Sequence, residues 1–256
     1  MCELLGISSS EPIDPQGYLR KFYNHSVRHP HGWGLMRKNA NVIEVIKEPA
    51  CASGSRIISE VIRKTQPQTD MMAHIRLATI GAVNYGNCHP YTGFDDSGRE
   101  WVFMHNGTIY SGTELAKYLA IQKGDTDSER IFLYLLDEIN RAIIQNGGAP
   151  LSEDRRFEIV SKVAADISPR NKLNFIVYDS EIMYVHKNMR DTLYSKQLDT
   201  GVIISTQPLD DDEWESVPMT RLLAYKNGKE IFRGENHGGE FIPNLEYITA
   251  MAAMNI

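Results

Sequence analysis

Two long stretches with a helical pattern follow one another in the middle of this 256-residue sequence, and strand-like stretches lie on both sides of them. The first begins near Asp127 and repeats apolar residues every three or four positions until Asn146-Gly147-Gly148, a typical helix end. The second covers residues 152–167 with the same spacing. Because the helices come as a block rather than one after each strand, the pattern argues against a doubly wound parallel sheet.

Tight turns between strand-like stretches predict antiparallel pairing. Asn106-Gly107 lies between residues 100–104 and 108–110, and Asn227-Gly228 lies in a second arrangement of this kind. An Asn-Gly pair between two strands is the strongest short hairpin signal. Residues 173–186 show a third hairpin pattern. We therefore predict an α+β fold in which antiparallel sheets are covered by helices.

Shorter patterns predict the remaining elements. The predicted strands cover residues 3–7, 42–46, 71–77 and 201–206, and the predicted short helices cover residues 16–24, 55–64 and 112–120. The last twenty residues have little pattern, which fits either a tail or a packing arm.

Composition and charge exclude several classes of function. The net charge of −6 argues against nucleic acid or an anionic membrane as the main partner. No apolar run approaches the roughly 20 residues of a membrane span, and the N-terminus lacks the pattern of a signal peptide. The three cysteines are scattered and fit no disulfide framework or zinc spacing. We expect a cytoplasmic protein with neither metal nor cofactor.

Cys2, directly behind the initiator methionine, admits two interpretations. A residue this small permits an aminopeptidase to remove Met1, which leaves Cys2 with a thiol and a free α-amino group. Because an α-amine titrates near pH ~8, such a nucleophile carries its own base. Alternatively, Cys2 is a small apolar residue that opens a buried strand with Leu4 and Leu5.

Arg76, His74, Asn106-Gly107 and Asp127 each have a structural and a functional interpretation. A guanidinium inside an apolar strand needs an anion, which belongs either to a ligand or to one of the chain's own acids. His74 is either a core histidine or part of a site. A turn at Asn106-Gly107 is either structural or presents two neutral donors as an oxyanion hole. Asp127 either caps the long helix or binds a substrate ammonium.

In this combination and order, the motifs resemble the class II glutamine amidotransferases, most closely their stand-alone, YafJ-type branch. The matching segments are Met1 to Gly6, His29 to Gly34, Ala73 to Arg76, His89-Pro90, His105 to Gly107, Thr126 to Glu129 and Ser205 to Leu209. The resemblance implies a four-layer α/β/β/α sandwich of the N-terminal-nucleophile hydrolase type, with two antiparallel sheets between helix layers. We expect residues 1–256 to form one such domain, although the resemblance does not extend beyond about residue 210.

The resemblance also implies the chemistry of the site. Cys2 would attack the side-chain amide of glutamine, or another γ-glutamyl amide, and form a γ-glutamyl thioester that releases ammonia and then glutamate. Asn106 and the Gly107 N–H would stabilise the oxyanion. Arg76, supported by Thr79, would bind the substrate α-carboxylate.

Three further binding residues are implied. The sequence departs from the family pattern at Leu77, at Ile80 and at His31-Gly32-Trp33-Gly34, where many members have an arginine and a tyrosine. Asp127 would bind the α-ammonium, and His74 and Trp33 would line the binding site. Leu77 and Ile80 stand where many members have tryptophan and histidine, so we expect different contacts over the substrate.

Several alternatives stay open from the sequence. The length leaves no room for a synthase, so a separate ammonia-accepting subunit or simple hydrolysis is expected. The protein could instead hydrolyse γ-glutamyl peptides or conjugates, or sense glutamine without turnover. A metal site at His25, His29 and His31 is a weaker alternative because Pro30 interrupts the helical spacing.

Overall fold

Thirteen strands and four α-helices are formed by the residues that the structure, a computed structural model, describes: 2–39, 42–245 and 247–249. The helices are α1 (Gln16–Asn24), α2 (Ile58–Lys64), α3 (Asp127–Gln145) and α4 (Glu153–Ile167). The strands are β1 (Glu3–Ile13), β2 (Trp33–Asn39), β3 (Val42–Glu48), β4 (Gln68–Ile75), β5 (Tyr91–Phe94), β6 (Glu100–Thr108), β7 (Lys172–Tyr178), β8 (Met183–Lys187), β9 (Tyr194–Gln197), β10 (Gly201–Ser205), β11 (Glu215–Ser216), β12 (Arg221–Lys226) and β13 (Lys229–Arg233).

The strands form two antiparallel sheets. The first sheet has seven strands in the order β11-β9-β10-β1-β4-β2-β3, and the second has six in the order β13-β12-β8-β7-β6-β5. The N-terminal strand β1 lies inside the first sheet, where Leu5 is paired with Ser205 of β10 and Leu4 with His74 of β4. The start of the chain is therefore held between two strands that are distant in sequence.

Three apolar cores show that the molecule has four layers. The core between the sheets contains, among others, Leu4, Met72, Met104, Ile176 and Val202. The core under α1 and α2 contains Leu5, Ile7, Leu19, Phe22 and Ile62, and the core under α3 and α4 contains Phe103, Phe132, Ile139, Val163 and Phe175. Leu4 and Leu5 belong to different cores because successive side chains of a strand point to opposite faces. The predicted α/β/β/α arrangement of two antiparallel sheets is confirmed.

Most of the predicted elements are present, but the prediction of a hairpin at His105-Asn106-Gly107 is wrong. These residues lie inside β6, which continues to Thr108 and pairs with β7, so that Asn106 lies opposite Asn174. Gly107 is needed for close approach and not for a turn, because a Cβ there would lie 2.0 Å from the backbone oxygen of Lys172. A local turn signal thus has a non-local cause.

Two predicted helices are shorter than expected. The helix expected over residues 55–64 begins only at Ile58, and residues 112–120 form only a 3-10 helix over Ala116–Ala120. Gly112 has a φ of +117°, which is incompatible with a helix start at that position. The predicted helix over residues 16–24 and the hairpins β7–β8 and β12–β13 are confirmed.

The segment after β13 packs along the second sheet. The backbone N–H of His237 donates to the Thr220 carbonyl at 2.9 Å, and that of Phe241 donates to the Asn188 carbonyl at 2.8 Å. Of the two alternatives for the last twenty residues, a packing arm is therefore correct as far as Phe241. Among the described residues, no helix has the length and apolar character needed to cross a bilayer.

Candidate active site

Cys2 lies immediately before β1, beside the end of β4. The residue is partly buried, and its thiol donates to the Leu77 carbonyl at 3.5 Å. Burial raises the pKa of the Cys2 thiol, and the charges of Arg76 and Lys172 act in the opposite direction. In the described part of the chain, no side-chain base forms a hydrogen bond with this sulfur. Deprotonation of the thiol therefore needs a base from elsewhere.

Glu3 anchors the strand that carries Cys2. Its buried carboxylate accepts hydrogen bonds from His25 Nδ1 at 2.8 Å and from Gln207 Nε2 at 2.6 Å. The hydrogen bond to Glu3 raises the pKa of His25. The start of β1 is thus tied to two other segments of the chain, which restricts the position of Cys2.

Arg76, directly after β4, is a buried cation held by backbone carbonyls. Its Nη1 donates to Ala82 O at 2.9 Å, and its Nη2 donates to Ile80 O at 2.9 Å and Gly81 O at 3.2 Å. Within the described ranges, no carboxylate lies within 4 Å of the guanidinium. The interpretation of Arg76 as one half of an internal salt bridge is therefore wrong, and its charge remains available to an anionic ligand.

Contacts with two other segments hold the loop around Arg76. The N–H of Ala82 donates to the Asp125 carboxylate at 3.2 Å, and Asn87 Nδ2 donates to Ala82 O at 2.8 Å. The hydroxyl of exposed Thr79 lies 3.3 Å from that of Thr108, at the end of β6. The loop that carries Thr79 therefore connects Arg76 to the strand that contains Asn106 and Gly107.

One end of the Asn106 side-chain amide has a hydrogen-bond partner, and the other end has none among the described residues. Its Oδ1 accepts a hydrogen bond from Lys172 Nζ at 3.0 Å, whereas its buried Nδ2 has no hydrogen-bond partner among the described residues. A buried amide N–H without an acceptor is costly, and a catalytic role is one explanation for such a group in a native structure. An oxyanion that forms beside Asn106 would supply the missing acceptor.

Asp127 is the first residue of α3, and it is buried. Its Oδ2 accepts from the backbone N–H of Ile109 at 2.8 Å, and its Oδ1 accepts from that of Ser128 at 2.9 Å. The N-cap of α3 is Thr126, whose hydroxyl accepts from the Glu129 N–H at 3.2 Å. The N-cap interpretation of Asp127 is therefore wrong. Across the described residues, no cationic side chain lies within 4 Å of its carboxylate.

Tyr91 is a buried residue whose pKa is affected by both Arg76 and Asp127. Its hydroxyl lies 2.7 Å from that of Thr126, next to Asp127. Burial raises the pKa of Tyr91; Asp127 acts in the same direction and Arg76 in the opposite one. The charges of Arg76 and Asp127 therefore both act on the Tyr91 side chain.

His74 and Trp33 lie in the interior. His74 Nε2 donates to His105 O at 3.3 Å, its ring packs against His89, and burial lowers the pKa of His74 to about 3. The indole of Trp33 is fully buried and donates to Glu48 Oε2 at 3.0 Å. Trp33 is thus a packed side chain of the core, and a role of either residue in substrate binding stays a prediction.

A comparison with known families agrees with this geometry. A sequence profile of the glutamine amidotransferases class-II matches residues 1–197. This chain belongs to the class II glutamine amidotransferases.

Several related proteins align over most of their length with this amidotransferase. An uncharacterised protein of Methanocaldococcus jannaschii is 30% identical over 91% of this chain and 71% of its own. The putative glutamine amidotransferase YafJ of Escherichia coli is 26% identical, over 85% of this chain and 94% of its own. The γ-glutamyl-hercynylcysteine sulfoxide hydrolase of Mycobacterium tuberculosis is 23% identical, over 87% and 92% respectively.

Solved structures show the same fold at lower identity. A predicted glutamine amidotransferase from Pseudomonas aeruginosa superposes with a TM-score of 0.63 at 18% identity, and covers 90% of this chain and 100% of its own. The allosteric regulatory enzyme of purine biosynthesis gives a TM-score of 0.64 at 17% identity, over 92% of this chain and 49% of its own.

Two buried residues of this amidotransferase's candidate site, Lys172 and His105, were assigned no role from the sequence, although His105 belongs to the motif His105 to Gly107. Lys172 contacts Asn106, and burial lowers the pKa of Lys172 to about 7. His105 Nδ1 lies 3.0 Å from Ser128 Oγ, and burial lowers the pKa of His105 to about 4. A lysine at the start of the apolar stretch 173–178 was the only available signal for the first.

The weaker metal alternative finds no support in the contacts of its residues. Among the described residues, no group of three or more His, Cys, Asp or Glu side chains is arranged to hold a metal ion. His25 is bonded to Glu3, whereas His31 Nδ1 accepts from the backbone N–H of Ala78 at 3.0 Å.

Proposed function

We propose that the mature chain begins at Cys2 and hydrolyses the side-chain amide of glutamine, or a related γ-glutamyl amide, through a γ-glutamyl thioester. One observation carries the proposal. Arg76 and Asp127 are buried charges of opposite sign, and neither has an oppositely charged side chain within 4 Å in the described part of the chain. Lys172 relates Cys2 to Asn106: its charge acts to lower the pKa of the Cys2 thiol, and its Nζ donates to Asn106 Oδ1, whose amide Nδ2 has no partner among the described residues.

The two charges select the substrate by its ends. Arg76 binds the α-carboxylate and Thr79 supports its loop, whereas Asp127 binds the α-ammonium. An analogue that lacks either group leaves a buried charge unpaired, and this discriminates strongly against it. The side-chain amide of a bound glutamine then extends towards Cys2.

Cys2 acts as both nucleophile and base once its α-amine is free. The thiol transfers its proton to the α-amine, and the sulfur attacks the amide carbon. Asn106 Nδ2 and the Gly107 N–H donate to the oxyanion, and one such donor contributes about 3–4 kcal/mol in comparable sites. The protonated amine gives its proton to the leaving ammonia, and water then cleaves the thioester to glutamate.

A second candidate is the hydrolysis of γ-glutamyl conjugates, which uses the same bond and the same residues. The observation that favours it is the similarity to the Mycobacterium tuberculosis protein, which is named as a hydrolase of a γ-glutamyl conjugate. In this case the leaving group is a larger amine and no ammonia acceptor is needed. A separate ammonia-accepting synthase is a partner only for the first candidate. We propose a cytoplasmic location for both.

An assay of released products separates these candidates. Wild-type protein with Cys2 at its N-terminus should release ammonia from glutamine or an amine from γ-glutamyl dipeptides, and the ratio of the two kcat/KM values identifies the substrate class. Cys2→Ala should lower kcat by at least about 10³-fold, since it removes the nucleophile. If neither substrate is turned over while wild type and Cys2→Ala bind glutamine equally, the protein senses glutamine and is not an enzyme.

A further inference from the structure

Lys172, the first residue of β7, is a buried lysine that contacts the candidate oxyanion hole. Its side chain is 1% exposed, and its Nζ donates to Asn106 Oδ1 at 3.0 Å. The pairing of β7 with β6 sets this contact, because Lys172 lies opposite Thr108. A lysine is rarely buried to this extent without a specific interaction.

The contact determines which end of the Asn106 amide faces the site. An ammonium can only donate hydrogen bonds, so the amide oxygen of Asn106 must face Lys172. The Nδ2 group then points away from Lys172, where it has no acceptor among the described residues. Without a donor at Oδ1, rotation of the amide by 180° would exchange the positions of its oxygen and nitrogen.

We propose that Lys172 is a positioning residue for amide hydrolysis and that it keeps Nδ2 of Asn106 directed at the developing oxyanion. The proposal rests on the function proposed above for this site, and it assigns a role to a residue outside the recognised motifs. Lys172 acts through Asn106 and makes no bond to the reacting atoms.

The electrostatics of the site support this role. Burial lowers the pKa of Lys172 to about 7, whereas negative charge at Cys2 raises it. Negative charge that forms at Cys2, or on the oxygen of the attacked amide beside it, therefore stabilises the ammonium form of Lys172. The form that orients Asn106 is thus favoured at the stage of the reaction that needs it.

The second sheet offers a matched control in Lys187, at the end of β8. This lysine is also fully buried, but its Nζ donates to Leu193 O at 3.0 Å and Ser216 Oγ at 2.6 Å, and it forms no hydrogen bond with Asn106. Lys172→Met should lower kcat about 10–100-fold and leave KM within about threefold, because substrate binding does not use the oxyanion donor. Lys187→Met should leave kcat within about threefold.

A double-mutant cycle tests whether Lys172 acts through Asn106. In an Asn106→Ala background, Lys172→Met should cause no further loss of kcat, because the amide that it orients is gone. Multiplicative losses would overturn the proposal, as would a Lys172→Met enzyme with wild-type kcat. Lys172→Gln, which retains a polar side chain, serves in the same cycle if the methionine variant does not fold.

A measurement without turnover separates this proposal from the proposed function. The side-chain NH₂ resonance of Asn106 in ¹⁵N-labelled protein, assigned by its loss in Asn106→Asp, should shift in Lys172→Met and stay in place in Lys187→Met. An unchanged resonance in Lys172→Met overturns the positioning role even if the enzyme is active. Failure of wild-type protein to hydrolyse any γ-glutamyl amide would contradict the proposed function. The shift of the Asn106 resonance in Lys172→Met would still decide whether Lys172 orients Asn106.

Discussion

Arg76 and Asp127 are stabilised by neutral backbone groups rather than by opposite charges. The guanidinium donates to three carbonyls, and the carboxylate accepts from two backbone N–H groups. Hydrogen bonds of this kind reduce the cost of burial without cancelling the charge. Each residue can therefore still attract a ligand group of opposite sign, as recognition of a free amino acid requires.

Replacement of Asp127 by asparagine tests this recognition at a single charge. Asp127→Asn keeps the shape and the acceptor for the Ile109 N–H but loses the charge. A hydrogen bond to a charged group contributes about 1.5–3 kcal/mol, so KM for glutamine should rise about 10–100-fold. Initial rates with glutamine and with N-acetylglutamine, which lacks the α-ammonium, measure this recognition. The variant should lose the preference of the wild type for glutamine over N-acetylglutamine. The exposed Asp211→Asn is the control, and an Asp127→Asn enzyme with full preference would contradict the assignment.

Among the elements, α4 is attached to the β7–β8 hairpin by a buried ion pair. Arg156 Nε donates to Asp179 Oδ2 at 2.7 Å, and Arg156 Nη1 donates to Leu151 O at 2.8 Å. Asp179 is fully buried and also accepts from the Tyr184 hydroxyl at 2.7 Å. The pair therefore connects the outer helix layer to the sheet whose strand β7 begins with Lys172.

Two adjacent arginines provide a matched test of this attachment. Arg156→Met should lower the free energy of unfolding by about 3–5 kcal/mol, because it leaves the buried Asp179 charge without its cationic partner. Arg155→Met removes only an exposed pair with Glu158 and should change it by less than about 1 kcal/mol. Urea denaturation of both variants measures the difference, and equal effects would show that the buried pair is not what holds α4.

The molecule as a whole buries several histidines in the neutral form. Burial lowers the pKa of His74 and of His186 to about 3, and that of His105 to about 4. In the unfolded chain the same groups titrate near pH ~6.5. Since the folded-state pKa values are the lower ones, their contribution to stability is fully present above pH ~6.5 and is lost as the pH falls.

The free energy of unfolding should therefore decrease as the pH falls, already in a range in which most carboxylates stay ionised. Between pH 7.5 and 5.5, the three histidines together should lower the free energy of unfolding by about 4 kcal/mol. His25, whose pKa Glu3 raises, opposes this change, but it is only partly buried. Urea denaturation at both pH values and one ionic strength measures the loss. An equal free energy of unfolding at the two pH values would contradict it.

For the fold as a whole, local sequence patterns predicted individual helices and hairpins. The features that these patterns missed depend on contacts between residues that are distant in sequence. The periodicity predicted α1, α3 and α4, and the turn residues predicted β7–β8, because their causes lie within a few residues. Asn106-Gly107 was misread as a turn because the need for Gly107 comes from Lys172, in a different strand. The placement of β1 between β10 and β4 likewise depends on residues far away in sequence.

The candidate site divides in the same way. The sequence motifs indicated Cys2, Arg76, Asn106 and Asp127 as site residues by residue type and order. The structure places them as described under the candidate active site. Their partners were not predictable, because the carbonyls around Arg76 depend on a loop conformation. The contact between Asn106 and Lys172 joins residues 66 positions apart.

The most direct test of Cys2 as an N-terminal nucleophile is the mass of a covalent adduct. Purified protein is incubated with a glutamine-like diazo-ketone, and the intact mass and the modified N-terminal peptide are then determined. We predict that Met1 is absent and that one equivalent of the reagent is attached to Cys2, with loss of activity in proportion to labelling. An active preparation that retains Met1, or that is inactivated without an adduct on Cys2, would contradict the mechanism.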